Sequence, residues 1–307
     1  MIGRYNQYLI SFACIAILAL FILFPVLETF IQSVRIETGE ITLAAYLITL
    51  QSQRFIDLIS NSLLLALTVT ALSLFLALPI SLFVERFNFV GRRLCELLIL
   101  APLILPPFVG AIGIRRLFSR YGPINLTLLD VGIIKTPIDW LGDLAIPGAV
   151  VVQVFHLYPI IYIMLRSSLS RMDISIEEAA YTLGASSIRS FIAIVIPLLR
   201  PAILSGCSTV FVWSLTDIGT PLIFDLRDLL PVEIFAYAYD QSHSLIGSTL
   251  VCILLVITIL SALLSYRSTD RYATSISGRS SYQNRRKKIT LNRDFIGEAI
   301  LFLVTII

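Results

Sequence analysis

Six long apolar runs decide most of what this chain can become. They cover residues 8–34, 62–84, 94–114, 146–169, 194–224 and 246–266. A hydrocarbon core of about 30 Å is crossed by roughly 20 mostly apolar residues in a helix, and each run reaches that length. Transmembrane strands need only about 9 to 11 alternating residues, so unbroken runs of this length point to spanning helices, which satisfy every backbone polar group internally. The charged fraction agrees: 14% of residues are Asp, Glu, Lys or Arg, against about 25% in soluble domains. The expected fold is all-α, a polytopic transmembrane helical bundle with six predicted spans. The first run exceeds the roughly 7 to 15 residues of a signal-peptide core, so it reads as a retained helix.

Lys and Arg near span ends set the orientation. One set of connections carries Arg4, Arg86, Arg92, Arg93, Arg166, Arg171, Arg189, Arg200 and the basic residues from Arg267 to Arg293. The other carries Arg35, Arg54, Arg115, Arg116, Arg120, Lys135 and Arg227. The first set is larger and is placed in the cytoplasm together with the N-terminus. The net charge of +3 therefore reflects topology, and the basic tract 285–288 reads as a membrane-flanking anchor with no role in nucleic-acid binding. Residues 267–294 form a basic cytoplasmic linker. The apolar stretch 295–307 is too short to cross a bilayer; with Arg293 and Asp294 before it, it resembles the entry to the first helix. It is read as the start of a seventh span, opening a second copy of the membrane unit.

Soluble chemistry finds little support. Cys14, Cys95, Cys207 and Cys252 are widely spaced in or beside spans, with no CxxC or Cys/His grouping, so no metal site is expected. There is no GxxxxGK[ST] loop for ATP, no HExxH and no nucleophile beside a base, so neither a cofactor nor a catalytic site is expected. Asn125-Leu126-Thr127 matches a glycosylation triplet of a kind common by chance and is discounted. Glu96 is read as an anchor neutralised by Arg92 or Arg93. His156 and Tyr158, just before Pro159, are read as packing or kink residues.

The loop 170–197, between the fourth and fifth runs, has its own logic. Ser175-Ile176-Glu177-Glu178 has the form of a capping box, so a helix is expected to begin at Ser175. Ala179 and Ala180 give it a small-residue face that a partner can approach. Gly184 should end it in a left-handed cap. Ser186 or Ser187 can cap the next helix, which leads through Phe191, Ile192, Ile194 and Ile196 to Pro197.

The spacing Glu178-Ala179-Ala180, three residues, Gly184, nine residues, Ile194, one residue, Ile196-Pro197 resembles the cytoplasmic signature of permease subunits in binding-protein-dependent ABC importers, with Ile196 where Leu is usual. The resemblance extends over residues 8–266. It implies a permease domain, 1–266, without chemistry of its own. The loop would hold the ATPase-coupling residues Glu177, Glu178, Ala179, Ala180, Gly184 and Pro197, with the helix seated on a dimeric ATPase and Arg171 and Arg189 as flanking charges. An extracytoplasmic substrate-binding protein would meet the loops 35–61 and 225–244. A second permease half, fused or separate, would complete the pore in the cytoplasmic (inner) membrane.

Two segments are similar to those of the ferric-iron type. Pro102 to Gly110, with Pro106 and Pro107, breaks the third run, and Trp213 to Pro221 puts Asp217 inside apolar sequence, where a carboxylate is costly and usually faces an interior or an aqueous path. Ser214, Thr216 and Asp217, with Pro106 and Pro107, are candidates for the translocation path. Asp217 as a hydrogen-bonding group near a helix end is an equal alternative. Related branches carrying phosphonate, polyamine, thiamine or sulfate share much of the pattern. An ion-coupled secondary transporter with a midplane site at Asp217 and the proline break is the alternative of another class.

Overall fold

A computed structural model describes residues 13, 16, 17, 19–35, 40–140, 145–239, 244–273, 287 and 288. The N-terminal part of the first run, Arg4, Cys14, His243, most of the basic linker and the stretch 295–307 lie outside these residues. Helices dominate. They are α1 (Ala19–Val34, opening on a π turn), α2 (Ala44–Gln51), α3 (Gln53–Arg86), α4 (Arg92–Ile104), α5 (Pro107–Leu117), α6 (Pro123–Asp130), α7 (Ala145–Leu169), α8 (Ile174–Thr182), α9 (Ser187–Thr216), α10 (Gly219–Ile223), α11 (Leu230–Tyr239) and α12 (Ser244–Ala273). The strands named among the described residues are β1 (Phe87–Asn88) and β2 (Lys287–Lys288), paired in parallel.

Four helices among the described residues are long and apolar enough to cross a bilayer: α3, α7, α9 and the Leu245–Tyr266 part of α12. The third run is a bent pair, α4 and α5, meeting at 97° as a broken span or a re-entrant loop. The bend follows from sequence: Leu105 precedes Pro106, whose ring forces it into extended backbone, and its φ is −84° and ψ 132°. From the first run, residues 13, 16 and 17 and α1 are described, and the described part of α1 is shorter than a span. The described residues thus hold four spans, or five with the bent pair, where six runs are predicted.

The fifth run differs from expectation at its C-terminal end. Its helix begins at Ser187 and stops at Thr216, and Asp217 is extended (φ −70°, ψ 124°). The Asp217 side chain accepts the N–H groups of Gly219 and Thr220 and so opens α10. A short acidic side chain competes here with helix continuation, and apolar composition does not register it.

The chain forms two compact units. In the first, residues 1–62 and 227–259, Phe55, Leu58, Leu230 and Leu250 form a core flanked by Ile59, Ile234 and Leu254. Polar ties close it: Ser33 and Tyr46 share a 2.7 Å hydrogen bond, the Leu230 N–H donates to Ser62 Oγ at 2.7 Å, and Arg54 pairs with Glu233 at 2.8 Å.

The second unit, residues 63–226 and 260–307, is organised around α7. Of its apolar window 72% is buried, against 22–28% for the other long helices, which keep an apolar outer face suited to lipid. Helices α4, α5, α9 and α10 pack on α7. Helix α9 approaches α7 closely at Gly206, where an added Cβ would sit 3.3 Å from Ile161 Cα. Ala111, Ala149, Val152 and Phe224 form the core between α5 and α7.

Asn125 anchors the segment after α5. It is fully buried; its Nδ2 reaches the carbonyls of Ser119, Arg120 and Ile138, and its Oδ1 accepts from Ile138 N–H and Trp140 Nε1. The triplet is therefore a structural device, since no sugar can reach this amide in the folded chain. Asn125→Asp exchanges the amide donors for a carboxylate facing three carbonyls. It is expected to cost at least about 3 kcal/mol, the scale of an uncompensated buried charge, and to expose segment 119–140 to proteolytic nicking, measured by limited digestion in detergent.

Candidate functional site

Helix α8 is capped two residues earlier than expected. The cap is Asp173, whose Oδ1 accepts the Ser175 N–H at 3.0 Å, and Ser175 lies inside the helix. Asp173 is as good a cap as serine and comes first, so the capping-box reading is corrected. The other end is as expected. Gly184 has φ +82°, with Gly184 N–H on the Tyr181 carbonyl and Ala185 N–H on that of Ala180, a Schellman closure. Ser186 then caps α9 by accepting the Arg189 N–H at 3.3 Å.

This short, doubly capped helix divides its two glutamates. Successive helical residues point about 100° apart, so Glu177 and Glu178 cannot share a face. Glu178 and Ala179 are exposed and Ala180 is partly so. Ile176, Tyr181, Leu183 and Ile188 add an exposed apolar rim, with Leu183 at 89% exposure, and Arg171 and Arg189 are exposed at its flanks. Glu177 is buried instead, and both its carboxylate oxygens meet Arg86 Nη2, at 3.0 and 2.9 Å. Pro197 sits exposed in the first turn of the α-helical part of α9, after a π turn at Phe191–Val195.

Beside that pair lies a charge cluster that sequence reading caught only in part. Glu85, next to Arg86, lies 3.6 Å from Arg92 and 3.8 Å from Arg166. Glu96 lies 2.8 Å from Arg92 and 2.9 Å from Arg166. Two carboxylates and two guanidiniums balance, joining α3, α4 and α7. Of the two expected partners of Glu96, Arg92 is the one in place, while Arg93 is exposed; Arg166 is the partner that went unforeseen.

The second candidate site is a cavity of about 300 Å³ lined by Pro107, Gln153, His156, Leu157, Val212, Trp213, Thr216 and Asp217. Three of the five path candidates, Pro107, Thr216 and Asp217, line it; Pro106 and Ser214 are not among the lining residues. Ser214 is buried and donates to Gln153 Oε1 at 2.6 Å, and Gln153 Nε2 donates to Asp217 Oδ2 at 2.9 Å. Asp217 thus serves as a hydrogen-bonding group at a helix start and as part of a cavity wall at once. Gln153, missed in the sequence, holds both neighbours and was legible only as a lone amide in an apolar run.

His156 has a structural duty. Pro106 has no N–H, so the Pro102 carbonyl lacks its partner four residues on, and His156 Nδ1 lies 2.9 Å from it. A carbonyl only accepts, so Nδ1 carries the proton. Tyr158 likewise donates to the Ile99 carbonyl at 3.1 Å. The broken helix is tolerated because α7 supplies the missing donor; the sequence tied His156 and Tyr158 to packing or a kink at Pro159 of their own run, and their contacts with the third run were not foreseen.

Comparison with known proteins gives a consistent picture. The profile of a family described as "Binding-protein-dependent transport system inner membrane component" matches residues 77–274. The ferric transport system permease protein FbpB of Actinobacillus pleuropneumoniae is 29% identical over 270 residues, covering 87% of this chain and 39% of that protein. The spermidine/putrescine transport system permease protein PotB of Escherichia coli is 33% identical over 154 residues, covering 50% of this chain and 55% of that protein. The chain spans about two fifths of the length of the ferric relatives it matches (39% and 43%). Among solved structures, a bacterial alginate ABC transporter in complex with an alginate pentasaccharide-bound periplasmic protein aligns with a TM-score of 0.68 at 17% identity, covering 88% of this chain and 96% of that one. That likeness concerns the fold.

Proposed function

This chain belongs to the family of binding-protein-dependent transport system inner membrane components, and from that membership we propose that it forms half of the membrane pathway of an ABC importer. The observation that carries the reading is α8: a short helix with rigid caps at both ends, presenting Glu178 and Ala179 outward beside exposed apolar side chains. Such an element suits a separate ATPase whose closure on ATP and opening after hydrolysis bias the permease between two packings. In this reading Glu178, Ala179, Ala180 and Gly184 make or shape the docking face, and Pro197 directs the following helix into the bilayer. The cavity at Pro107, Thr216 and Asp217 belongs to the path, with Ser214 and Pro106 supporting its wall.

Ferric iron is the proposed substrate, supported by the ferric permease relatives; the polyamine and molybdenum relatives mark the alternatives. A binding protein delivers substrate to the outer face. Six spans make one permease unit over residues 1–266, with its N-terminus in the cytoplasm. The second half follows the 267–294 linker, 295–307 being its start, or comes from a separate chain.

The test is ATP-dependent uptake of labelled ferric iron by vesicles holding the complete permease, its ATPase and its binding protein. Glu178→Arg is expected to lower both uptake and copurification of the ATPase at least roughly tenfold, the factor carried by about 1.4 kcal/mol of docking energy. Uptake of spermidine or molybdate instead of iron keeps the importer and replaces the substrate. Unchanged uptake and copurification in Glu178→Arg sink the docking reading.

A further inference from the structure

Helix α8 is joined by short covalent connections to α7 on one side and α9 on the other, but α3 reaches it only through space. That approach is made by Arg86, the last residue of α3, whose Nη2 meets both oxygens of Glu177 at 3.0 and 2.9 Å across 91 residues of sequence. Charge-assisted contacts of this kind are short and directional, and Glu177 at 8% exposure is withdrawn from any docking partner. One residue before Arg86, Glu85 enters the buried cluster with Arg92 and Arg166. The end of α3 thus grips α8 on one side and α4 and α7 on the other.

Resting on the reading of α8 as the docking element, we infer that Glu177 is a positioning residue whose ion pair with Arg86 ties that helix to the α3–α4–α7 cluster. A displacement imposed on α8 is then delivered to α3, and through Glu85 to α4 and α7, as well as along the two connecting turns. The two adjacent glutamates divide the work: Glu178 meets the partner and Glu177 transmits to the permease. Spatial adjacency alone does not establish such transmission, so the experiment measures coupling directly.

The complete permease is prepared with its ATPase subunit in lipid nanodiscs, with the native cysteines replaced by serine and Thr216→Cys as a reporter in the cavity. Two quantities are read: copurification of the ATPase, and the change in maleimide labelling of the reporter when ATP and vanadate trap the complex. Glu177→Arg and Arg86→Glu are each expected to retain the ATPase while shrinking the nucleotide-induced change in labelling rate by roughly tenfold, a factor within the usual range for contacting residues. The double exchange Glu177→Arg/Arg86→Glu restores the change, and Arg86→Lys, which keeps the charge, retains most of it. Recovery of this kind separates a tie from a fold defect, which neither variant would repair.

Single reversals that respond like the unaltered chain overturn the inference, as does a double exchange that fails to recover the response. Loss of the ATPase in Glu177→Arg but not in Arg86→Glu makes Glu177 a docking residue, overturning the tie and leaving the importer reading intact. An unaltered chain that binds no ATPase, or that binds it without any labelling response, removes the docking reading and the tie together.

Discussion

Arg92→Met is expected to be the most destabilising single change in the Glu85–Arg92–Glu96–Arg166 charge cluster, costing about 3–5 kcal/mol, the range for removing one partner of a buried ion pair. The Arg92 side chain is 9% exposed and lies between Glu85, 5% exposed, and Glu96, 21% exposed. Without it, two carboxylates share Arg166, which is 30% exposed and partly solvated. The cluster goes from neutral to a net negative charge in a site with little water, and the cost is the desolvation of a carboxylate that has lost its counter-charge. Arg166→Met, nearer solvent, should cost less. Cys95, Cys207 and Cys252 are free thiols, partly or fully buried, so thermal unfolding in detergent can be followed with a thiol-reactive dye. A drop of roughly 10 °C is expected for Arg92→Met. The paired change Glu85→Leu/Arg92→Met removes one charge of each sign and should recover much of the loss, because a buried pair is worth little against apolar residues that fill its space. Equal melting of Arg92→Met and the unaltered chain would mean that water reaches the cluster freely.

The long helices were legible from the apolar runs because bilayer length constrains composition directly. Helix ends were less so. Gly184 could be read because only a residue tolerant of positive φ closes a helix that way, whereas Asp173 was overlooked beside the more familiar pattern at Ser175. The division between Glu177 and Glu178 was invisible: both fit a first turn, and which one turns inward depends on Arg86, 91 residues away. The same holds for Gln153, whose partner Asp217 lies 64 residues on, and for Arg166, counted as a topological charge before it appeared as the second counter-ion of Glu96. A lone polar residue in an apolar run shows that a partner is needed and says nothing of where it comes from. The interruption at Asp217 was legible in part: a carboxylate in apolar sequence was read as a hydrogen-bonding group near a helix end, but the two N–H groups it accepts, those of Gly219 and Thr220, were not foreseen.

Gly206→Leu is the second large effect expected. Among the described residues α7 and α9 form the most extensive helix pair, and at Gly206 a Cβ would already lie 3.3 Å from both Cα and Cγ1 of Ile161, itself fully buried. Small residues at such crossings let backbones approach closely, and dispersion between the two surfaces is a main source of helix association in lipid. Alanine asks the neighbour for a few tenths of an ångström, while its better helix propensity returns about 1 kcal/mol, so Gly206→Ala should melt close to the unaltered chain. Leucine adds three more heavy atoms with no space for them. The helices must separate, at a cost at or above the upper end of the roughly 1–3 kcal/mol typical of overpacking. Detergent-solubilised Gly206→Leu is expected to lose its monodisperse size-exclusion peak and to label rapidly at Cys207, one residue along the same helix. A normal peak with slow labelling would show that α9 can slide on α7.

The bond between His156 and the Pro102 carbonyl also makes three distant positions one heritable unit. Proline at 106 removes a donor, the carbonyl at 102 is left wanting one, and the imidazole at 156 provides it. A lineage that lost the histidine first would carry an orphaned carbonyl inside the bilayer; one that lost the proline first would have a donor to spare. The two orders of loss are therefore unequal: the histidine can be given up without an orphaned carbonyl only after the proline, whereas the proline leaves behind a donor that already stands at the cavity wall.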